Sequence, residues 1–239
     1  MSADILPTAD EIVGRLRAEA NPANVAGMMR YGISGDGALG VPMPFLRGIA
    51  GEMRAARRTD PDGAHALAAA LWDTGVHEAR ILAGLVDVPA LVTSEQADRW
   101  VGQIDSWDIC DQLCGNLLGY TSFAYPKVDQ WAAAEPEFVK RAGFVLICAL
   151  TVHDKKTGDE PFLHFLTLIE REASDERNFV KKAVNWALRQ IGKRNRNLHS
   201  AAVAVARRLR DSESKAARWV ASDALRELGD AKIIARLKS

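Results

Sequence analysis

The sequence predicts an all-α protein, with HEAT-like helical repeats stacked into a curved α-solenoid. Three observations carry this. Ala and Leu are abundant, and no β-branched run bounded by turns reads as a strand. Prolines at 22, 42, 61, 89, 126, 136 and 161 punctuate the chain at intervals suited to helices of ten to eighteen residues. Thr8-Ala-Asp-Glu11 and Thr93-Ser-Glu-Gln96 fit the capping box, in which the Thr oxygen takes an orphan amide and the acid or amide side chain reaches back.

Taken in order, the segments give about a dozen short helices. One begins after Thr8, and another runs over residues 24–33. The stretch Tyr31 to Pro42 is the longest non-helical one and is expected to be a flexible loop. It contains Gly35-Asp-Gly37-Ala-Leu-Gly40, a formal match to the dinucleotide fingerprint. That motif works only between a strand and a helix, and here a helix precedes it. After His77-Glu-Ala-Arg80, residues Ile81, Leu82, Leu85 and Val86 recur at helical spacing. A helix over Asn178–Lys193 turns Val180, Val184, Ala187 and Ile191 to one side. Helices joined by short links predict stacked pairs of ~40–47 residues, five or six of them, in one domain over 1–239, with a compact helical bundle as the structural alternative.

Composition bounds the function. No run approaches the ~18 apolar residues of a membrane span, and the acidic start MSADILPTADEIV lacks the features of a signal peptide. The three cysteines, 110, 114 and 148, form no disulfide framework, which fits a reducing cytoplasm. Cys110 and Cys114 read either as half a metal site or as two small buried side chains, and nothing at zinc-finger spacing accompanies them.

The 31 basic and 31 acidic residues cancel, but they are polarised. Residues 1–170 hold 14 basic and 23 acidic side chains, and residues 171–239 hold 17 and 8. Arg177 to Arg210 carries ten Lys/Arg and no acid. On the helix within it, Lys182, Trp186, Arg189 and Lys193 line one side. The block reads as a polyanion-binding face, with cations for phosphates and an indole for a sugar or base. The alternative is a solvated face, with Trp186 as boundary packing beneath basic stems.

A second constellation is Asp105-Ser-Trp-Asp-Ile-Cys-Asp111. On a helix, Trp107 and Asp111 meet on one face, suited to a cationic ligand or a positively charged transition state. Asp108 is a candidate cap. The alternative places Trp107 in the core and pairs Asp111 with an arginine.

These residues carry a resemblance. Met29-Arg-Tyr-Gly-Ile33, Gly40-Val-Pro42, Trp72…His77-Glu-Ala-Arg80, Ser106-Trp-Asp-Ile-Cys-Asp111, Val139-Lys-Arg-Ala142 and Asn178-Phe-Val-Lys-Lys-Ala-Val-Asn-Trp-Ala-Leu-Arg189 resemble, in order and spacing, the AlkD-type family of HEAT-like-repeat DNA alkylation repair glycosylases. The resemblance implies excision of cationic N3- and N7-alkylpurines from double-stranded DNA, in base excision repair, without base flipping. It implies catalytic roles for Asp111, Trp107, Trp186 and Arg141, with Arg141 on the DNA backbone at the lesion. It also places Tyr31 on DNA. With the basic block, the expected DNA-binding set is Tyr31, Lys182, Arg189, Lys193 and Arg194.

No cofactor or metal is called for. No Lys nucleophile stands out, so a monofunctional enzyme without lyase activity is expected, as a cytoplasmic, nucleoid-associated monomer with no membrane partner. The alternative function is a non-catalytic helical-repeat binder of structured or damaged DNA, or a protein scaffold.

Overall fold

The computed structural model describes residues 6–237. The first five residues, part of the acidic start discussed above, and the last two lie outside the described residues. Among the described residues there are fifteen α-helices, one 3-10 turn and no strand. No helix is long and apolar enough to cross a membrane. The chain divides into two compact units, Met1–Ser122 and Phe123–Ser239.

The first unit holds α1 (Ala9–Ala18), α2 (Pro22–Arg30), α3 (Met43–Glu52), α4 (Ala56–Thr59), α5 (Pro61–Asp73), α6 (His77–Val86), α7 (Ser94–Gly102), α8 (Trp107–Asn116) and the 3-10 turn Leu118–Tyr120. The capping box at Thr8 is complete: Thr8 Oγ1 accepts from Glu11 N at 3.2 Å, and Thr8 N donates to Glu11 at 2.7 Å. At Thr93 only half of the expected box forms. Thr93 Oγ1 accepts from Gln96 N at 3.1 Å, while the Gln96 side chain donates to buried Asp87 at 3.0 Å. The core is anchored by Trp72 and Trp100, stacked with centroids 4.4 Å apart and planes 3° from parallel. Such a pair adds ~0.5–1.5 kcal/mol beyond the burial of its apolar area.

The second unit holds α9 (Ala124–Ala132), α10 (Glu137–His153), α11 (Glu160–Glu172), α12 (Asn178–Gly192), α13 (Arg196–Arg210), α14 (Lys215–Leu228) and α15 (Ala231–Arg236). α12 matches the expected helix within one residue, and Val180, Val184, Ala187 and Ile191 are fully buried, as its periodicity requires. α9 and α10 touch so closely at Gly143 that an added Cβ would lie 2.5 Å from Ala132 N. Hydrogen is the one side chain that fits there.

A repeat too faint to see in the residues is visible in their hydrogen bonds. In the second unit, Arg141 Nη1 donates to Phe179 O (2.7 Å), Asn185 Nδ2 to Asp223 Oδ2 (2.7 Å), Asn197 Nδ2 to Asp159 Oδ2 (2.7 Å) and Arg208 Nε to Glu170 Oε1 (2.6 Å). Each pair is separated by 38 residues. A constant offset means that alternate helices run parallel: α12 with α14, and α11 with α13. In the first unit the offset varies, 31 for Trp72 Nε1 to Gln103 Oε1 (2.6 Å) and His77 Nε2 to Asp108 Oδ2 (2.8 Å) and 37 for Arg15 Nη1 to Glu52 Oε2 (2.8 Å). All of these offsets fall below the ~40–47 residues expected per helical pair, because the helices and links are short.

Candidate functional site

Of the residues singled out in the sequence, Tyr31, Trp107 and Asp111 lie in the first unit. Arg141, Lys182, Trp186, Arg189, Lys193 and Arg194 lie in the second.

In the first unit, α8 begins at Trp107 and is tied down along its first turn. Ser106, the N-cap, is fully buried, and its Oγ accepts from Ser34 N at 2.9 Å. Trp107 Nε1 donates to Tyr31 O at 3.0 Å, which fixes the indole through a backbone contact. The Tyr31 ring itself is 76% exposed. Asp108 does not cap the helix: it lies inside the first turn, and its Oδ2 pairs with His77. Burial pushes the His77 imidazole down. The bond to Asp108 and the charges of Asp108, Glu78 and Asp105 outweigh that and hold it above its ordinary value. Asp111 follows one turn after Trp107, and both are half-buried. Cys110 and Cys114 are buried on the same helix. Among the described residues, no three His, Cys, Asp or Glu side chains are grouped to hold a metal.

The loop expected to be flexible is anchored. Glu78, 1% exposed, accepts from Leu39 N (2.9 Å), Gly40 N (2.7 Å) and Val41 N (3.1 Å). Asn24 Nδ2 donates to Gly40 O at 2.9 Å, and His77 N to Gly37 O at 3.0 Å. Gly40 adopts φ +76°, where a Cβ would meet Asn21 O at 2.3 Å. Its glycines thus serve a tight turn on a carboxylate, and α2 precedes the loop where a nucleotide fingerprint needs a strand. Tyr31, Met28, Met43, His77, Trp107 and Asp108 line an adjoining cleft of about 600 Å³.

In the second unit, Lys182 is exposed and Trp186 half-buried on α12. The other cations expected on a DNA face are engaged within the unit. Arg189 bonds Glu227 and lies 3.7 Å from Asp223. Lys193 Nζ donates to Glu227 Oε1 at 2.7 Å. Burial raises the Glu227 carboxyl, but its bonds to Lys193 and Arg189 hold it below the ordinary range. Arg194 donates to the carbonyls of Thr151 (3.0 Å), Asp154 (2.6 Å) and Thr157 (2.7 Å), and its guanidinium lies 4.2 Å from the centroid of Phe162. It therefore clamps the α10–α11 connection. Arg141 is 5% exposed, with Nη1 on Phe179 O.

Sequence reasoning missed His77 and Glu78 as the builders around α8, and Asp223 and Glu227 as counter-charges to the basic stripe. An offset of 38 applied to Asn185 and Arg189 would have found the two acids. Glu78 stands in the His77-Glu-Ala-Arg80 segment of the resemblance, but only tertiary structure shows which amides it holds.

A family model described as DNA alkylation repair enzyme matches residues 12–228. A solved structure described as belonging to "a new family of proteins related to the HEAT-like repeat DNA glycosylases with affinity for branched DNA structures" superposes with a TM-score of 0.70 at 20% identity. The match covers 93% of this chain and 97% of that one. The expected helical-repeat fold is therefore shared. No curated protein sequence matches.

Proposed function

The chain belongs to the DNA alkylation repair enzyme family, and from that premise we propose that it is a monofunctional DNA glycosylase that removes cationic N3- or N7-alkylpurines from duplex DNA without flipping the base. The supporting observation is the placement of Trp107 and Asp111 on successive turns of α8, half-buried on a helix whose start is bonded to Tyr31, Ser34 and His77. An aromatic ring and a carboxylate held in register fit a reaction whose transition state gains positive charge on the sugar.

The chemistry needs little else. A purine alkylated at N3 or N7 leaves as a neutral base, so no general acid is required. The remaining sugar develops oxocarbenium character. A carboxylate ~4 Å away contributes about 4 kcal/mol at an effective dielectric of ~20, on the order of 10³ in rate if the ground state is unaffected. The gain is reduced because the substrate base already carries charge. Asp111 also orients the attacking water, and Trp107 packs on the sugar with its ring face toward the charge. In the second unit, Lys182 neutralises phosphate and Trp186 offers a flat apolar ring. Arg141 is assigned a flanking phosphate, which its planar fork suits. Reaching one turns the guanidinium away from the Phe179 carbonyl.

The test is release of 7-methylguanine from methylated duplex, wild type against Asp111→Asn. The expected result is release by the wild type and near-complete loss in the variant, with duplex binding largely kept. Equal release by both would remove Asp111 from the mechanism. A second reading, binding of branched DNA without excision, is supported by the description of the solved structure that shares the fold. It predicts binding and no release by either protein.

A further inference from the structure

The ladder between α12 and α14 has one rung unlike the others. On the lower rungs a polar or cationic side chain of α12 faces a carboxylate of α14, Asn185 opposite Asp223 and Arg189 opposite Glu227. Stepping back one turn on each helix gives Lys181 opposite residue 219, again 38 apart. There the carboxylate is replaced by tryptophan. Lys181 Nζ lies 5.2 Å from the centroid of the Trp219 ring, and Trp219 remains 41% exposed. Lys182 and Lys215, on the same ends of the two helices, are exposed, as is Arg218. Arg218 Nη1 is bonded to the carbonyls of Ser212 and Glu213, which keeps a cation at this end of α14. Glu213 is the acid on that turn.

The lower rungs are thus internally neutralised, and the first is not. An exposed indole among basic side chains is costly in water and matches one partner chemistry, a polyanion with accessible ring faces. Inside a duplex the base faces are covered by their neighbours, and away from its two ends only phosphates and groove edges remain to be met. We propose that Lys181 and Trp219, flanked by Lys182 and Lys215, form a stacking platform for unpaired nucleotides of DNA, with the lysines on the phosphates. Lys182 is shared with the phosphate contacts assigned above, but the Lys181–Trp219 pair is assigned to none of them, and stacking there does not depend on base excision.

The test uses the full chain and fluorescence anisotropy on four probes: an oligo-dT strand, a duplex with an oligo-dT tail, the same duplex blunt, and a polyglutamate peptide. The expected result is tighter binding of the tailed than the blunt duplex. Trp219→Ala should weaken the tailed duplex and the single strand by about tenfold or more, and the blunt duplex by less than about twofold. Trp219→Phe, which keeps a ring, should restore most of the loss. Lys181→Gln should lower the salt slope by about one. Equal losses on all DNA probes, no preference for the tail in the wild type, or equal competition by polyglutamate would each overturn the platform. Base release from methylated duplex, measured on the same preparations, reports separately. Its absence would count against excision and leave the platform standing.

Discussion

The two units bury opposite charges. The first, with nine basic and 16 acidic residues, hides Glu78 and Asp87, and its buried polar set has no Lys or Arg. The second, with 22 basic and 15 acidic residues, hides Lys127, Lys140 and Arg141, and buries no carboxylate in that set. Four of these buried charges organise backbone or an opposite charge, while Lys127 donates to the Gln130 side chain at 2.8 Å. Glu78 gathers three amides of the 39–41 loop, and Asp87 takes His65 (2.6 Å), Val88 N (2.7 Å) and Gln96 (3.0 Å). Arg141 caps a carbonyl, and Lys140 reaches Glu172 at 2.8 Å. Charge polarity is therefore a property of how each unit is built, as well as of its surface. Acids in the first unit set the loop and α8, while bases in the second stitch successive helices.

This contrast can be broken by single substitutions. The largest effect is expected from Glu78→Ala, which orphans three amides of a closed turn. At ~1–3 kcal/mol for each unsatisfied group, discounted for relaxation and water entry, about 3–5 kcal/mol of stability is lost. Hydrogen exchange should show the loss in the first unit, and protection of the second should be retained. Loss spread evenly over both would refute the separation.

Gly143→Ala should do the converse. Its Cβ meets the backbone of α9, which cannot swing away like a side chain, so about 1–3 kcal/mol is expected from overpacking, located in the second unit.

A smaller effect comes from His77. Its folded value is raised, so the stabilisation by its protonated form is full below the unfolded value of about 6.5 and fades as pH rises through the folded one. Urea midpoints of the first unit should therefore decline as pH rises above about 6.5. Asp108→Asn should flatten that decline, and an unaltered slope would remove the pair as its origin.

The smallest change in stability, within ~1 kcal/mol, is expected for Glu227→Gln, because its ion pairs are about a quarter exposed. Its signature lies in binding. Releasing Arg189 and Lys193 should steepen the salt dependence of DNA affinity by about one to two. A slope equal to wild type would mean that these cations never reach phosphate.

The same contrast explains what could be read in the sequence. The helices were legible because their signals are local: the Thr8 cap, the prolines, and the Val180–Ile191 stripe all act within one or two turns. Trp107 and Asp111 were legible as a pair because an i, i+4 spacing settles their shared helix face. The Gly-rich loop reads as flexible in the sequence because its anchor, Glu78, stands nearly forty residues away and looks like one more exposed helix acid. The counter-charges to the basic stripe are hidden from the sequence for a similar reason. A stretch without acids looks unopposed until α14, one repeat later, supplies Asp223 and Glu227. Arg194 reads as one more DNA-facing cation in the sequence, and only the structure shows that its guanidinium holds the carbonyls of Thr151, Asp154 and Thr157, some forty residues earlier.

The bonds from Ser34 to Ser106 and from Trp107 to Tyr31 span 72 and 76 residues. The ladder and loop bonds discussed above span about half that or less. Contacts of short sequence span form first and are cheapest in chain entropy, whereas distant ones wait for the chain between them to order. The start of α8 should therefore dock late in folding and open early in native fluctuations. Its amides should exchange through sub-global opening while the helices around it stay protected. The helix that carries Trp107 and Asp111 would then be gated by contacts of long sequence span.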